Sequence, residues 1–177
     1  YRDTWEFGLA ADGGFHEFFG LEELLLRRCR LIIISDAGCN NGKFEFGALA
    51  DTIRLVRERH GIEFLDLDHD QPVDLHRLKR HAESLRQDQH HICMRVRYPE
   101  GFPVQGPAEG MVVYAQMSLT GDEELDLQQF RKVNPNFPDE PTTNQSYDEN
   151  QVESFRQLGQ HVGIKVCQRA PLRARDR

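Results

Sequence analysis

What the 177-residue sequence lacks narrows its possibilities first. No apolar run approaches the roughly 20 residues that a helix needs to cross a bilayer. The first residues also lack the charged-then-apolar layout of a signal peptide. Basic charge is in deficit: 22 Lys and Arg face 29 Asp and Glu, a net charge of -7. That balance speaks against a nucleic-acid partner, which usually leaves a basic stripe. The four cysteines, Cys29, Cys39, Cys93 and Cys167, contain no C-x-x-C pair. Neither a metal-ligand spacing nor a disulfide framework is written in them, and a reduced, intracellular-type setting is the simpler expectation. No internal repeat occurs. The chain opens at Tyr1 in the middle of a motif, and a fragment or a processed product is expected.

With 38% hydrophobic and 29% charged residues, the chain fits one globular domain on the polar side of the usual range. Its organising stretch is Phe7 to Gly38, FGLAADGGFHEFFGLEELLLRRCRLIIISDAG. The apolar segment from Phe7 to Ala11 reads as a strand running into Asp12-Gly13-Gly14. A helical run follows, with Leu21, Leu24, Leu25 and Cys29 at helical spacing, and then an apolar strand from Leu31 to Ser35. That strand reads as buried on both faces of a parallel sheet. Ligands of open α/β sheets sit beyond the carboxyl ends of the strands, which makes Asp12 the candidate catalytic carboxylate. Gly13 and Gly14 support it by allowing positive φ and close backbone approach.

Further along, Asn40-Asn41-Gly42 reads as a turn, and Phe44 to His60 as a helix with Leu49, Ile53 and Val56 on one face and Gly61 as its stop. Ile62 to Leu67 reads as the next strand, which predicts a β-α-β-α-β order with right-handed crossovers. A surface helix is expected over 74–85. Two strands, His91 to Tyr98 and Met111 to Leu119, are joined across a Pro- and Gly-rich connection. Asp122 to Val133 reads as helix, and Asn134 to Tyr147 as a loop. Asp148 caps a last helix whose apolar face is Val152, Phe155, Leu158 and Val162. Residues 168–177 read as a basic, disordered tail.

These residues carry a resemblance. The segment LAADGGFHEFFGLEELLLRRCRLIIISDAG resembles the region around the Asp-Gly-Gly motif of bacterial patatin-like phospholipases. GALADTIRLVRERHGIEF and VRYPEG extend the likeness. The LTGDE, NPNFP and DENQVESFRQLG blocks then follow in the order of the family's C-terminal region. The resemblance covers about Phe7 to Gly163. It implies an α/β fold, a three-layer sandwich with a mostly parallel central sheet, present here as its C-terminal part over residues 1–167. The implied activity is serine lipid acyl hydrolysis by a Ser-Asp dyad, with Asp12 as base to a serine in a G-x-S-x-G turn.

Departures from the family pattern are specific. No G-x-S-x-G and no glycine-rich oxyanion loop occur in this sequence, so the serine is expected upstream and residues 1–177 alone are expected to be inactive. His16 is displaced by one position from the family's G-H-F-E-N. Phe18 stands where the usual Asn would be, and Asp139 replaces a common histidine. The implied partners are a lipid or lipid-ester substrate and, peripherally, a membrane surface, with no cofactor and no metal. The intact parent is expected to be cytoplasmic or membrane-associated.

Blander roles compete for several residues. Asp36 reads as the stabiliser of its own turn, and His16 as a surface histidine. Asp66, Asp68, His69, Asp70, His76 and His81 have no ligand spacing and read as a solvated acidic loop. The alternative to a hydrolase is a non-catalytic structural or interaction domain that retains the fold.

Overall fold

The computed structural model describes residues 17–39, 46–81, 84, 86–141 and 143–169, with nothing said of the side chain of Arg169. The proposed strand at Phe7 to Ala11, the Asp12-Gly13-Gly14 turn, His16 and the turn at 40–42 lie outside the described residues.

Gly20, at φ 62, admits the chain to α1 (Leu21–Leu26), whose first turn carries Glu22 and Glu23. Acidic side chains there suit the positive end of the helix dipole. Strand β1 (Leu31–Asp36) follows. Helix α2 (Gly47–His60) buries Leu49, Ile53 and Val56, carries Arg57, Arg59 and His60 in its last turn, and stops at Gly61 with φ 65. The expected face and stop are both present. Glu22 ties α1 to α2: it is buried, accepts from His60 Nε2 at 2.7 Å and lies 3.5 Å from Arg59.

Strand β2 is short, Glu63–Leu65. The helix expected over 74–85 is, in the described residues, a single 3-10 turn at Leu75–Leu78, opened by Asp74, whose carboxylate accepts from His76 N at 2.9 Å. Strands β3 (His91–Arg97) and β4 (Glu109–Gln116) form the expected antiparallel pair, with Arg97 opposite Glu109 and His91 opposite Ala115. Helix α3 (Leu125–Val133) begins later than the sequence suggests, and α4 runs over Glu149–Arg169, two residues into the segment read as tail. Asp148 caps α4, accepting from Gln151 N at 2.7 Å.

The sheet order is β1-β4-β3-β2. Among the described strands only β1 and β4 are parallel; β2–β3 and β3–β4 are antiparallel. This corrects the expectation of a mostly parallel sheet and of β-α-β-α-β progression. A two-way switch of direction follows because the Pro- and Gly-rich connection after β3 is short enough only for a hairpin. The fold is therefore mixed α/β.

Helices cover both faces. On one, α1 and α2 bury Leu21, Leu25, Leu49, Ile53 and Val56 against Ile32, Ile34, Met94, Val96, Val112 and Tyr114. On the other, Leu127 of α3 and Leu158, Val162 and Val166 of α4 pack on Val113 together with Leu119 and Phe137. Val152, expected on the apolar face of α4, is 55% exposed, and Val166 continues that face instead. Strand β1 also departs from expectation. Ile32 and Ile34 are buried, but Leu31 and Ile33 are 41% and 58% exposed. Among the described residues it ends the sheet order, and α4 covers β4 rather than β1 on that face.

Candidate functional site

Asp12, Gly13 and Gly14 lie outside the described residues. Asp36 is described, and it behaves as turn chemistry predicts. Its Oδ1 accepts from Gly38 N at 2.8 Å. Its Oδ2 accepts from the hydroxyl of Tyr114, which is fully buried on the neighbouring strand. Burial, with the Asp36 carboxylate beside it, drives the Tyr114 hydroxyl far above its ordinary pKa, so it stays a donor. These contacts lock the carboxyl end of β1 to β4.

The acidic and histidine-bearing stretch at 66–81 does not converge. Asp66 accepts from Asp68 N at 3.1 Å and pairs with Arg77. Asp70 is held by Arg95 and Arg97, whose hydrogen bonds keep its carboxyl below the usual range. His81 turns to Asp88 at 2.8 Å. Asp66, Asp70 and Asp74 are each answered by neighbours of their own.

The polar cluster that does converge lies just past the carboxyl end of β4, next to the end of β1. Met117 N donates to Asp36 O at 2.8 Å, and Gln116 N to His90 O at 2.8 Å. The loop after β4 then brings Ser118, Thr120, Asp122 and Glu123 beneath His90 and against His161 and Lys165 of α4. His90 is 3% exposed. Its Nδ1 lies 3.1 Å from Ser118 Oγ, and its Nε2 lies 3.1 Å from Thr120 Oγ1. Thr120 Oγ1 donates to Asp122 Oδ1 at 2.6 Å, and His161 Nε2 lies 3.1 Å from the same oxygen. Lys165 donates to Asp122 Oδ2.

Glu123 is buried and folds back as a cap. It accepts from Thr120 N at 2.5 Å and from Gly121 N at 3.0 and 3.1 Å. Gly121, at φ 98, is in a conformation that side chains rarely adopt, and an added Cβ would meet the Arg86 guanidinium within 2.5 Å. The rings of His90 and His161 meet edge to face with centroids 5.2 Å apart. A cavity of about 190 Å³ opens beside them, lined by Asp88, His90, Thr120, Asp122 and Lys165 among others.

Electrostatics follow the geometry. The hydrogen bond from Lys165, with those from Thr120 and His161, holds the Asp122 carboxyl far below its ordinary pKa. Burial lowers His90 to about 4, against a raising pull from Glu123 and Asp122 and further lowering by His161 and Lys165. The imidazole is thus neutral in the folded chain while the unfolded one titrates near 6.5. Stability from this group is complete above pH 6.5 and falls as pH drops towards 4, by about 1.4 kcal/mol per unit where the two states differ by a full proton. In metal-free buffer, wild type is expected to lose urea stability from pH 7 to pH 5 more steeply than His90→Gln. Equal losses in the two proteins would show that His90 is not the group responsible.

Ser118 touches a histidine, as a nucleophilic serine must, but it is 1% exposed and donates to Gln116 O at 3.3 Å. An ester cannot reach it. The sequence reading missed this cluster because its members come from the residue before β3, the loop after β4 and α4. One local signal was available: His161 and Lys165 stand four residues apart, on one face of a helix.

Comparison of the chain with protein-family models, with curated proteins and with solved structures finds no match in any of the three. Among the described residues no helix is long and apolar enough to cross a membrane.

Proposed function

We propose that the chain is the C-terminal part of a patatin-like serine lipid acyl hydrolase, with Asp12 as the base and the serine supplied upstream. In this reading Asp12 takes the serine proton as the hydroxyl oxygen bonds to the ester carbonyl carbon. The ester C–O bond then breaks, the alcohol leaves with a proton, and water releases the acyl group from the serine. A hydroxyl is a poor nucleophile until a base lies within roughly 2.6–3.2 Å.

The observation that supports this reading best is the state of β1. Among the described residues it ends the sheet order, pairs parallel with β4, and leaves Leu31 and Ile33 exposed. An apolar edge of this kind is what further strands would cover, and the strand carrying the serine belongs there in the proposal. A second support is that the LTGDE, NPNFP and DENQVESFRQLG blocks, distant in sequence, pack as one unit. Leu119 of the first, Phe137 of the second and Leu158 of the third share a core, and Phe137 stacks on Phe155 at 4.9 Å.

The test uses a lipid ester and a serine-directed fluorophosphonate. The longer protein is expected to turn over the ester and to be labelled, whereas residues 1–177 alone do neither. Fluorophosphonate-sensitive turnover by residues 1–177 would place the nucleophile inside them and overturn the dyad. A longer protein that is neither labelled nor active would favour the non-catalytic reading.

A further inference from the structure

The His90 cluster is independent of the proposed hydrolase dyad. Four groups of different residues, His90, Asp122, Glu123 and His161, each place one donor atom so that all lie within 4.8 Å of one another. His90 Nε2 and Asp122 Oδ1 are 4.0 Å apart, and Asp122 Oδ1 and His161 Nε2 are 3.1 Å apart. Ligands of a tetrahedral zinc ion at bonds of about 2.0–2.2 Å stand roughly 3.3 Å from one another. A closure of at most about 1.5 Å between the most separated donor atoms brings this set onto one ion. We propose that His90, Asp122, Glu123 and His161 form a binding site for a zinc-class divalent cation, which clamps α4 to the loop after β4.

Donor chemistry supports that assignment. Two imidazole nitrogens and two carboxylates are a borderline set that suits zinc better than magnesium or calcium, which take oxygen ligands. His90 is already oriented as a ligand. Ser118 Oγ lies 3.1 Å from His90 Nδ1 and Thr120 Oγ1 lies 3.1 Å from its Nε2, so a hydroxyl at each ring nitrogen sets the orientation of the ring. A ligating histidine is usually held in this way, by a polar partner on the nitrogen away from the ion.

Charge points the same way. Asp122 and Glu123 bring two formal negative charges and Lys165 returns one, which leaves the cluster net negative. At present Asp122 Oδ1 is satisfied by Thr120 Oγ1 and His161 Nε2, while Lys165 takes Oδ2. A cation bound at Oδ1 replaces those protons and leaves Lys165 in place on Oδ2. The neighbouring cavity supplies the way in. Four protein donors leave no open position, which is the pattern of a structural ion rather than a catalytic one.

The experiment is zinc titration by calorimetry on the chain after chelator treatment, with cobalt as a spectroscopic stand-in. One zinc per chain is expected, at a dissociation constant of about 10 μM or tighter, with the visible bands of tetrahedral cobalt. His161→Ala is expected to weaken zinc at least about 100-fold, while His69→Ala, an exposed histidine outside the cluster, leaves it unchanged. Lys165→Gln removes a competing positive charge and is expected to tighten zinc several-fold, a gain that no merely structural role would produce. If His161→Ala fails to fold, the Lys165→Gln affinity and the wild-type cobalt spectrum decide. Absence of saturable zinc binding, octahedral cobalt bands, or affinity indifferent to His161 and Lys165 would each overturn the proposal. None of these readouts depends on ester hydrolysis.

Discussion

Phe137→Ala is expected to destabilise the chain by about 3–5 kcal/mol, the cost of losing a large ring from a core that cannot collapse around it. Phe137 is fully buried. Its ring meets Phe130 at 5.1 Å and 86°, and Phe155 at 4.9 Å and 66°, so α3 and α4 both pack on it. Edge-to-face pairs of this kind each contribute about 0.5–1.5 kcal/mol beyond the area they bury. Its carbonyl also accepts from Arg131 Nη1 at 2.6 Å, which holds the loop in register on α3. For a domain whose total stability is about 5–15 kcal/mol, this one ring is a large share. Val152→Ala, on an exposed face of α4, serves as the contrast and is expected to stay within about 0.5 kcal/mol. Urea midpoints at unchanged slope measure both. A loss below about 1.5 kcal/mol for Phe137→Ala would mean that α4 is not anchored through this residue.

For the longer hydrolase proposed above, the largest expected effect on activity is that of Asp12→Asn. The amide has nearly the shape of the carboxylate and can still hydrogen-bond to a turn, so the melt should barely move. It is a far weaker base, and it cannot stabilise positive charge or take the serine proton. Members of a catalytic unit act together, so removing one costs orders of magnitude. Asp36→Asn is the control, with a sharper expectation now that its partners are known. It removes one charge from the oxygens that receive Gly38 N and the Tyr114 hydroxyl. Stability should therefore fall by about 1–2 kcal/mol, with turnover retained. If Asp12→Asn keeps more than about a tenth of the activity, less than about 1.4 kcal/mol of barrier is at stake, and Asp12 is not the base.

The elements that were legible in sequence are those whose signal is local. Leu49, Ile53 and Val56 repeat at helical spacing before a glycine, and α2 stops on that glycine. Ile92, Met94 and Val96 alternate, and they face inwards on β3. Strand β1 was misread because a short apolar run looks the same at the edge of a sheet as at its centre. Only the burial of alternate residues separates the two, and pairing decides that. Parallel pairing of β1 was anticipated, but its neighbour is β4 rather than β2, since the hairpin inserts two antiparallel strands. Glu123 was read as helical, yet its carboxylate is engaged by the Thr120 and Gly121 amides before α3 begins. The His90 cluster had no spacing to be read, because tertiary structure alone brings β3 next to α4.

The strand order carries a consequence for the route by which the chain folds. β3 and β4 meet across a short connection, Arg97 opposite Glu109, whereas α2, β2 and β3 all lie in sequence between Leu31 and its partner Met111. Closing the longer loop costs more chain entropy, and non-local contacts of this sort slow folding. The hairpin is accordingly the seed, and β1 is laid onto a surface already assembled. Amide exchange should report that sequence, with Ile32 and Ile34 gaining protection after Met94 and Val112. Simultaneous protection would mean that β1 belongs to the nucleus. A strand that docks last leaves its apolar residues in water longest, so the nascent chain is most vulnerable to association at β1.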